Sequence, residues 1–177
     1  MLNFKENNSL WEYCRTNEIL DELVKYYPNI KSWFWDKVIP SVECWDSKII
    51  TLEDENDIIW FSILKNTEFE KKIRTLFITE KYRNSWNVLK ILEKSMEVLW
   101  DDSPLYTVSE DFIEFYSKVA KRYNHKITWV LTWKYREWVK EYVFNKEDDY
   151  STPYENYWKD LTHEELLEID KYFKKNI

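Results

Sequence analysis

The chain has 177 residues, one domain's worth, with 26 Lys and Arg against 33 Asp and Glu and a formal net charge of −7. Its 44 % hydrophobic and 19 % aromatic content excludes a disordered chain and permits a packed core. No apolar run approaches the ~20 residues of a membrane span, the first residues lack the basic-then-apolar order of a secretory signal, and two Cys with two His exclude a disulfide framework or a metal site rich in either.

Ser9-Leu10-Trp11-Glu12 predicts a capping box, with Ser9 as N-cap and Glu12 reaching back. Leu20, Leu23, Val24 and Tyr27 continue at helical spacing until Pro28-Asn29. Ile30 to Ile39 predicts a second short helix, stopped by Pro40. The period then changes. Lys48–Leu52, Asp57–Leu64 and Lys72–Ile78 are β-branched and aromatic, and polar turns separate them, as in antiparallel hairpins. Trp86–Leu99 predicts an amphipathic helix, Leu105–Val108 a strand and Asp111–Tyr123 a helix with Phe112, Phe115, Tyr116 and Val119 on one face. Ile127–Trp133 and Glu137–Phe144 predict two more strands. Thr162-His163-Glu164-Glu165 is a second capping box opening a terminal helix. A strand–helix–strand passage within mainly antiparallel strands predicts a mixed α/β sandwich over 1–144, followed by an acidic linker and C-terminal helix over 145–177.

Three counts are abnormal. The chain has no Gly and 11 Trp, and Ala120 is its only alanine. Lys outnumbers Arg 21 to 5, a bias an AT-rich genome produces. The same bias does not produce 11 Trp, because the Trp codon is not AT-rich. Large aromatics are thus expected to fill volume that small residues fill elsewhere. Most of the Trp residues, such as Trp129 and Trp133 flanking Leu131 on a predicted strand, read as core. Without glycine, P-loop, dinucleotide and kinase-type phosphate loops are excluded.

The negative charge lies in 1–46 and 145–177, and the middle is balanced. No basic stripe is present to neutralise a nucleic-acid backbone, so no nucleic-acid partner is expected, and no membrane partner either. The expected location is a reducing cytoplasm. For a small AT-rich mobile element such as a bacteriophage, it is the host cytoplasm or the virion.

Two stretches carry a family likeness. Ile73-Arg74-Thr75-Leu76-Phe77-Ile78-Thr79-Glu80-Lys81-Tyr82-Arg83 is similar to the fourth strand and "V-x-P-x-Y-R" turn of the GNAT superfamily of acyl-CoA-dependent N-acetyltransferases. Ser109-Glu110-Asp111-Phe112-Ile113-Glu114-Phe115-Tyr116-Ser117-Lys118 resembles that family's "N-x-x-A-I-x-F-Y-x-K" after the fifth strand. The resemblance implies a GNAT-like mixed sheet flanked by helices and acetyl-CoA as cofactor. It implies that Leu76, Phe77 and Ile78 offer backbone groups to the pantetheine arm, and that Arg83, Asn84, Ser85, Trp86, Asn87 and Val88 form the diphosphate turn. Ser109 stands at the family's Asn position, and Tyr116 at the Tyr that protonates the departing thiolate. This chain departs from the family's R/Q-x-x-G-x-G/A loop: Arg83 is kept, and Trp86 and Val88 replace both small residues. The loop's helix dipole and free N–H groups survive whatever the side chains are.

Each feature has a plainer reading. Tyr116 is one tyrosine among 13. Arg83 also reads as a surface ion pair near Glu80. Glu68, Glu70 and Glu80 are candidate bases for an amine, and Glu80 is the one within the motif. Cys14 and Cys44 read as core, and His125 and His163 as solvated. Two functions follow. One is transfer of an acetyl group from CoA by direct attack of an amine, on a small molecule or a protein. The other is an inactive GNAT-like module that binds a protein partner or serves a structural role, a reading that glycine loss and the Trp surplus favour.

Overall fold

The structure is a computed structural model and describes residues 2–55, 57–83, 85–132, 134–146 and 158–159. The expected C-terminal helix and most of the acidic linker lie outside the described residues. Two compact units divide the chain, Met1–Pro104 and Leu105–Ile177. The architecture is mixed α/β, with mainly antiparallel strands flanked by helices.

The first unit holds β1 (Leu2–Asn7), β2 (Ser47–Asp54), β3 (Asp57–Asn66) and β4 (Lys71–Ile78), each antiparallel to the next. β1 was not legible in the sequence, because only Leu2 and Phe4 of its six residues are apolar. It is fixed by pairing along β2, from Leu2 opposite Asp54 to Asn7 opposite Ile49. Glu53 on β2 is 1 % exposed and holds two cations, Lys5 of β1 at 2.7 Å and Arg15 at 2.9 Å.

α1 (Leu10–Ile19) opens with the expected capping box: the Glu12 N–H donates to Ser9 Oγ, and the Glu12 carboxylate accepts from the Ser9 N–H at 3.1 Å. A 3₁₀ turn over Leu20–Leu23 follows. The next helix differs from expectation. It runs through Pro40, as α2 (Ile30–Trp33), a π segment (Phe34–Val38) and α3 (Ile39–Glu43). A proline ring clashes with the carbonyl four residues back, and the widened π turn just before it relieves that clash. The Ile39 N–H accordingly bonds Phe34 O.

Leu20, Leu23, Ile30, Phe34, Val38 and Ile39 from these helices pack on Ile49, Phe61, Ile63 and Phe77 of the sheet. β3 is buried along nearly its whole length, as a strand covered on both faces must be. α4 (Ser85–Leu99) packs against β3 and β4, burying Val88, Ile91, Leu92, Met96 and Leu99, with Ser95 Oγ 3.0 Å from Ser62 Oγ.

The second unit holds β5 (Leu105–Ser109), α5 (Ile113–Arg122), β6 (Ile127–Thr132), β7 (Lys140–Phe144) and the short β8 (Trp158–Lys159). β7 lies between β5 and β6, and β8 pairs with β6, all antiparallel. β7 starts three residues later than expected. Trp138 has a φ of +63°, which a strand does not accommodate. Tyr106 stacks on Phe144 and its hydroxyl meets His125 Nδ1 at 2.9 Å, so His125 is buried rather than solvated. Both cysteines are exposed, against the core reading.

The helix ends share one device. At α3, α4 and α5 the chain closes in a Schellman motif. The bonds are Trp45 N–H to Val42 O with Asp46 N–H to Ser41 O, Trp100 N–H to Glu97 O with Asp101 N–H to Met96 O, and Asn124 N–H to Lys121 O with His125 N–H to Ala120 O. The motif requires a left-handed residue just past the helix, and here that residue is Trp45 (φ +66°), Trp100 (φ +53°) and Asn124 (φ +57°). The tryptophans are also not core. Trp45, Trp86, Trp100 and Trp138 are 83, 64, 92 and 77 % exposed, and only Trp60 is buried among the described residues.

Candidate functional site

In the first unit, Leu76, Phe77 and Ile78 form the end of β4, and Phe77 and Ile78 are buried. Thr79 turns the chain, its N–H on Ile59 O and its hydroxyl on Ile58 O, into a 3₁₀ turn over Glu80–Tyr82. Glu80 is exposed there. Arg83 folds back along the strand end. Its Nε donates to Ile78 O at 3.0 Å, its guanidinium lies over Phe77, and Nη2 is 3.6 Å from Glu22 rather than near Glu80.

Helix α4 begins two residues later. Its first-turn N–H groups, 85 to 87, have no acceptor within the helix and carry the positive end of its dipole. Asn87 donates through Nδ2 to Tyr82 O at 2.7 Å, pinning the turn to the helix. Val88 is buried and faces the core, not the loop. The Trp86 indole projects into solvent under the Lys90 ammonium, 4.8 Å from its ring centre. Asn84 and the Ser85 side chain lie outside the described residues. A diphosphate suits this end: free N–H groups, a dipole and a nearby ammonium.

In the second unit, Tyr116 sits in the first turn of α5, its N–H on Phe112 O and its ring edge-on to Phe115. The side chain is half-buried, and burial pushes its phenol pKa above the usual range. The hydroxyl therefore stays protonated throughout neutral pH. Burial, and next the Tyr116 charge, push Tyr106 the same way, which brings the two phenols into one neighbourhood. Ser109 is 1 % exposed and its hydroxyl is engaged: it donates to Asp111 and accepts from Arg136 at 2.9 Å. Arg136 also pairs with Asp111, tying the β6–β7 connection to the turn after β5.

Sequence reasoning missed Glu141. It sits on β7 opposite Ser109, is 1 % exposed, and its Oε2 has no hydrogen-bond partner. Burial pushes its carboxyl pKa up to about 7, against the Lys134 and Arg136 charges and with help from Asp111 and Glu110. The signal was present. Glu141 stands two residues before Val143, so strand alternation puts it on the inward face. Of the earlier base candidates, Glu68 is exposed. Glu70 has its burial outweighed by its bond to Lys65 and by the Lys72 and Arg74 charges, and is held below the ordinary carboxylate range.

The raised Glu141 carboxyl predicts a pH signature. Its ordinary value is 4.5, and the native protein keeps the proton until about 7. The folded state thus binds more protons across that window, and stability falls as pH rises through it. The loss amounts to roughly 3 kcal/mol by linkage. Glu141→Gln should remove it, so urea denaturation at pH 5 and pH 8 should show the variant gaining on the parent at the higher pH. A difference that does not change with pH would refute the buried carboxyl.

No protein-family profile matches the sequence, and no curated protein matches it. Solved structures do. A GNAT-family protein of Desulfovibrio desulfuricans aligns at 9 % identity over 83 % of this chain and 99 % of its own, with a TM-score of 0.65. The PaiA N-acetyltransferase of Thermoplasma acidophilum, in complex with coenzyme A, aligns at 13 % identity over 83 and 99 %, TM-score 0.59. The spermidine N-acetyltransferase of Vibrio cholerae, with CoA and spermine, aligns at 7 % over 81 and 93 %, TM-score 0.58. The chain has the fold of the GNAT superfamily.

Proposed function

We propose that this protein is an acyl-CoA-dependent N-acetyltransferase that moves an acetyl group to an amine by direct attack. The observation that carries the reading is Tyr116, a half-buried phenol in the first turn of the helix that follows β5. The backbone of Leu76–Ile78 takes the pantetheine arm. The first turn of α4, with Arg83 and Lys90 beside it, takes the diphosphate. Bound there, acetyl-CoA supplies the thioester that the amine attacks. No nucleophilic Ser or Cys is patterned for a covalent step, so the amine must reach attack in its neutral form. Glu80, exposed at the end of β4, and Glu141, with a carboxyl that titrates near neutrality, are the two carboxylates suited to accept its proton. Tyr116 donates a proton to the departing sulfur. An acidic chain suits a cationic amine such as a polyamine or a lysine side chain.

The test is ligand linkage. Acetyl-CoA at 100 times its Kd should stabilise the native state by about 2.7 kcal/mol. The parent and Trp86→Gly proteins are melted with millimolar acetyl-CoA, and Trp86→Gly should show the same shift or a larger one. No shift in either protein would leave the second reading, a protein-binding module, which the exposed Trp11, Phe69 and Trp100 favour. Loss of the shift in a folded Trp86→Gly protein alone would make the indole itself a cofactor contact.

A further inference from the structure

The left-handed positions of this chain are occupied by the wrong kind of residue. A non-glycine residue pays steric strain at positive φ, and a bulky one is an outlier there. Among the described residues, six have positive φ: Asn124 and Asn145, Glu55, and Trp45, Trp100 and Trp138. Asparagine tolerates the region. Tryptophan gains nothing in it, and these three side chains gain little from packing either, at 77 to 92 % exposed. Two of them stand where a Schellman motif closes a helix, the position most often held by glycine. Trp60 has the converse fault. It is 2 % exposed in the middle of β3, and its indole N–H finds no acceptor, although a buried indole ordinarily does.

Composition repeats the pattern. At the average usage of about 7 %, a chain of this length carries about 12 glycines. This one carries none, and it carries 11 tryptophans. One cause produces both counts. The codon UGA is stop, tryptophan or glycine depending on the translation system. The remaining glycine codons begin with two G bases, so an AT-rich genome that reads UGA as glycine concentrates its glycine there. The excess of Lys over Arg marks such a bias.

We propose that the polypeptide made in its own cells carries glycine at Trp45, Trp100 and Trp138, and at every other tryptophan written by the same codon. Glycine occupies positive φ without steric cost, and at these three positions it removes side chains that are 77 to 92 % exposed. The inference stands apart from acetyl transfer, since an inactive module needs the same turns. It also bears on the α4 loop, where a glycine in place of Trp86 would open the first-turn N–H groups to a ligand.

The experiment is mass spectrometry of the protein isolated from the cells whose genome encodes it. Each exchange lowers the mass by about 129 Da, the indole side chain being replaced by a hydrogen. Peptides spanning residues 45, 100 and 138 should read glycine, and the intact mass should fall below 22.1 kDa by that step for every codon shared. Absorbance at 280 nm should fall with it, to a tyrosine-dominated value. Tryptophan at those three positions in the native peptides would overturn the inference.

Discussion

Tyr116→Phe should lower the acetyl-transfer rate by ~10²-fold or more while KM and melting temperature hardly move. The substitution keeps the ring, its edge-on contact with Phe115 and its packing in α5, and removes only the hydroxyl. A thiolate leaving without a proton is a poorer leaving group than the thiol, so the loss falls on kcat and not on binding. The phenol's raised pKa sets a second expectation. The hydroxyl is protonated across neutral pH, so the parent's rate should not fall between pH 7 and 9 through loss of this donor. An unchanged rate in Tyr116→Phe would take this side chain out of the mechanism.

A triple change, Trp45→Gly, Trp100→Gly and Trp138→Gly, should stabilise the tryptophan-bearing chain by about 3 kcal/mol. The left-handed region costs a residue with a Cβ roughly 1–2 kcal/mol, partly offset by glycine's greater freedom in the unfolded chain. Little packing is lost, because all three side chains are largely exposed. Each change acts on the backbone of its own turn, so the effects should add. For a chain of this size the gain corresponds to a rise of roughly 6–12 °C in Tm. A fall in Tm would mean that the indoles stabilise the fold as it stands, and would count against glycine at these turns.

Most of the fold was legible because period and punctuation agree. The capping box at Ser9–Glu12, the hairpins after β2 and β3 and the broad apolar face of α4 each follow from local chemistry. Three features were not legible, for physical reasons. β1 depends on long-range pairing with β2, and its own residues are mostly polar. Pro40 reads as a stop unless the π turn before it is known. The tryptophans read as core because indoles bury well, and only backbone angles reveal that several stand at turns. The site divides the same way. The segments carrying Tyr116 and the α4 turn are contiguous motifs, visible in one stretch of chain. Glu141 draws its shift first from burial, opposed by the Lys134 and Arg136 charges and aided by Asp111 and Glu110, a setting that only tertiary folding assembles.

The twelve buried residues where the N-terminal helices meet the sheet include no tryptophan. Isoleucine, leucine, valine, phenylalanine and one tyrosine make up the whole set, and Trp33 and Trp35 only flank it. This cluster is therefore written in residues that an exchange of indole for hydrogen does not touch. Trp60 of β3, 2 % exposed, is the buried position that such an exchange does reach, and its loss would leave a void there. The packing of the N-terminal helices on the sheet is thus fault-tolerant, and a translation ambiguity that rewrites the turns leaves its apolar alphabet intact.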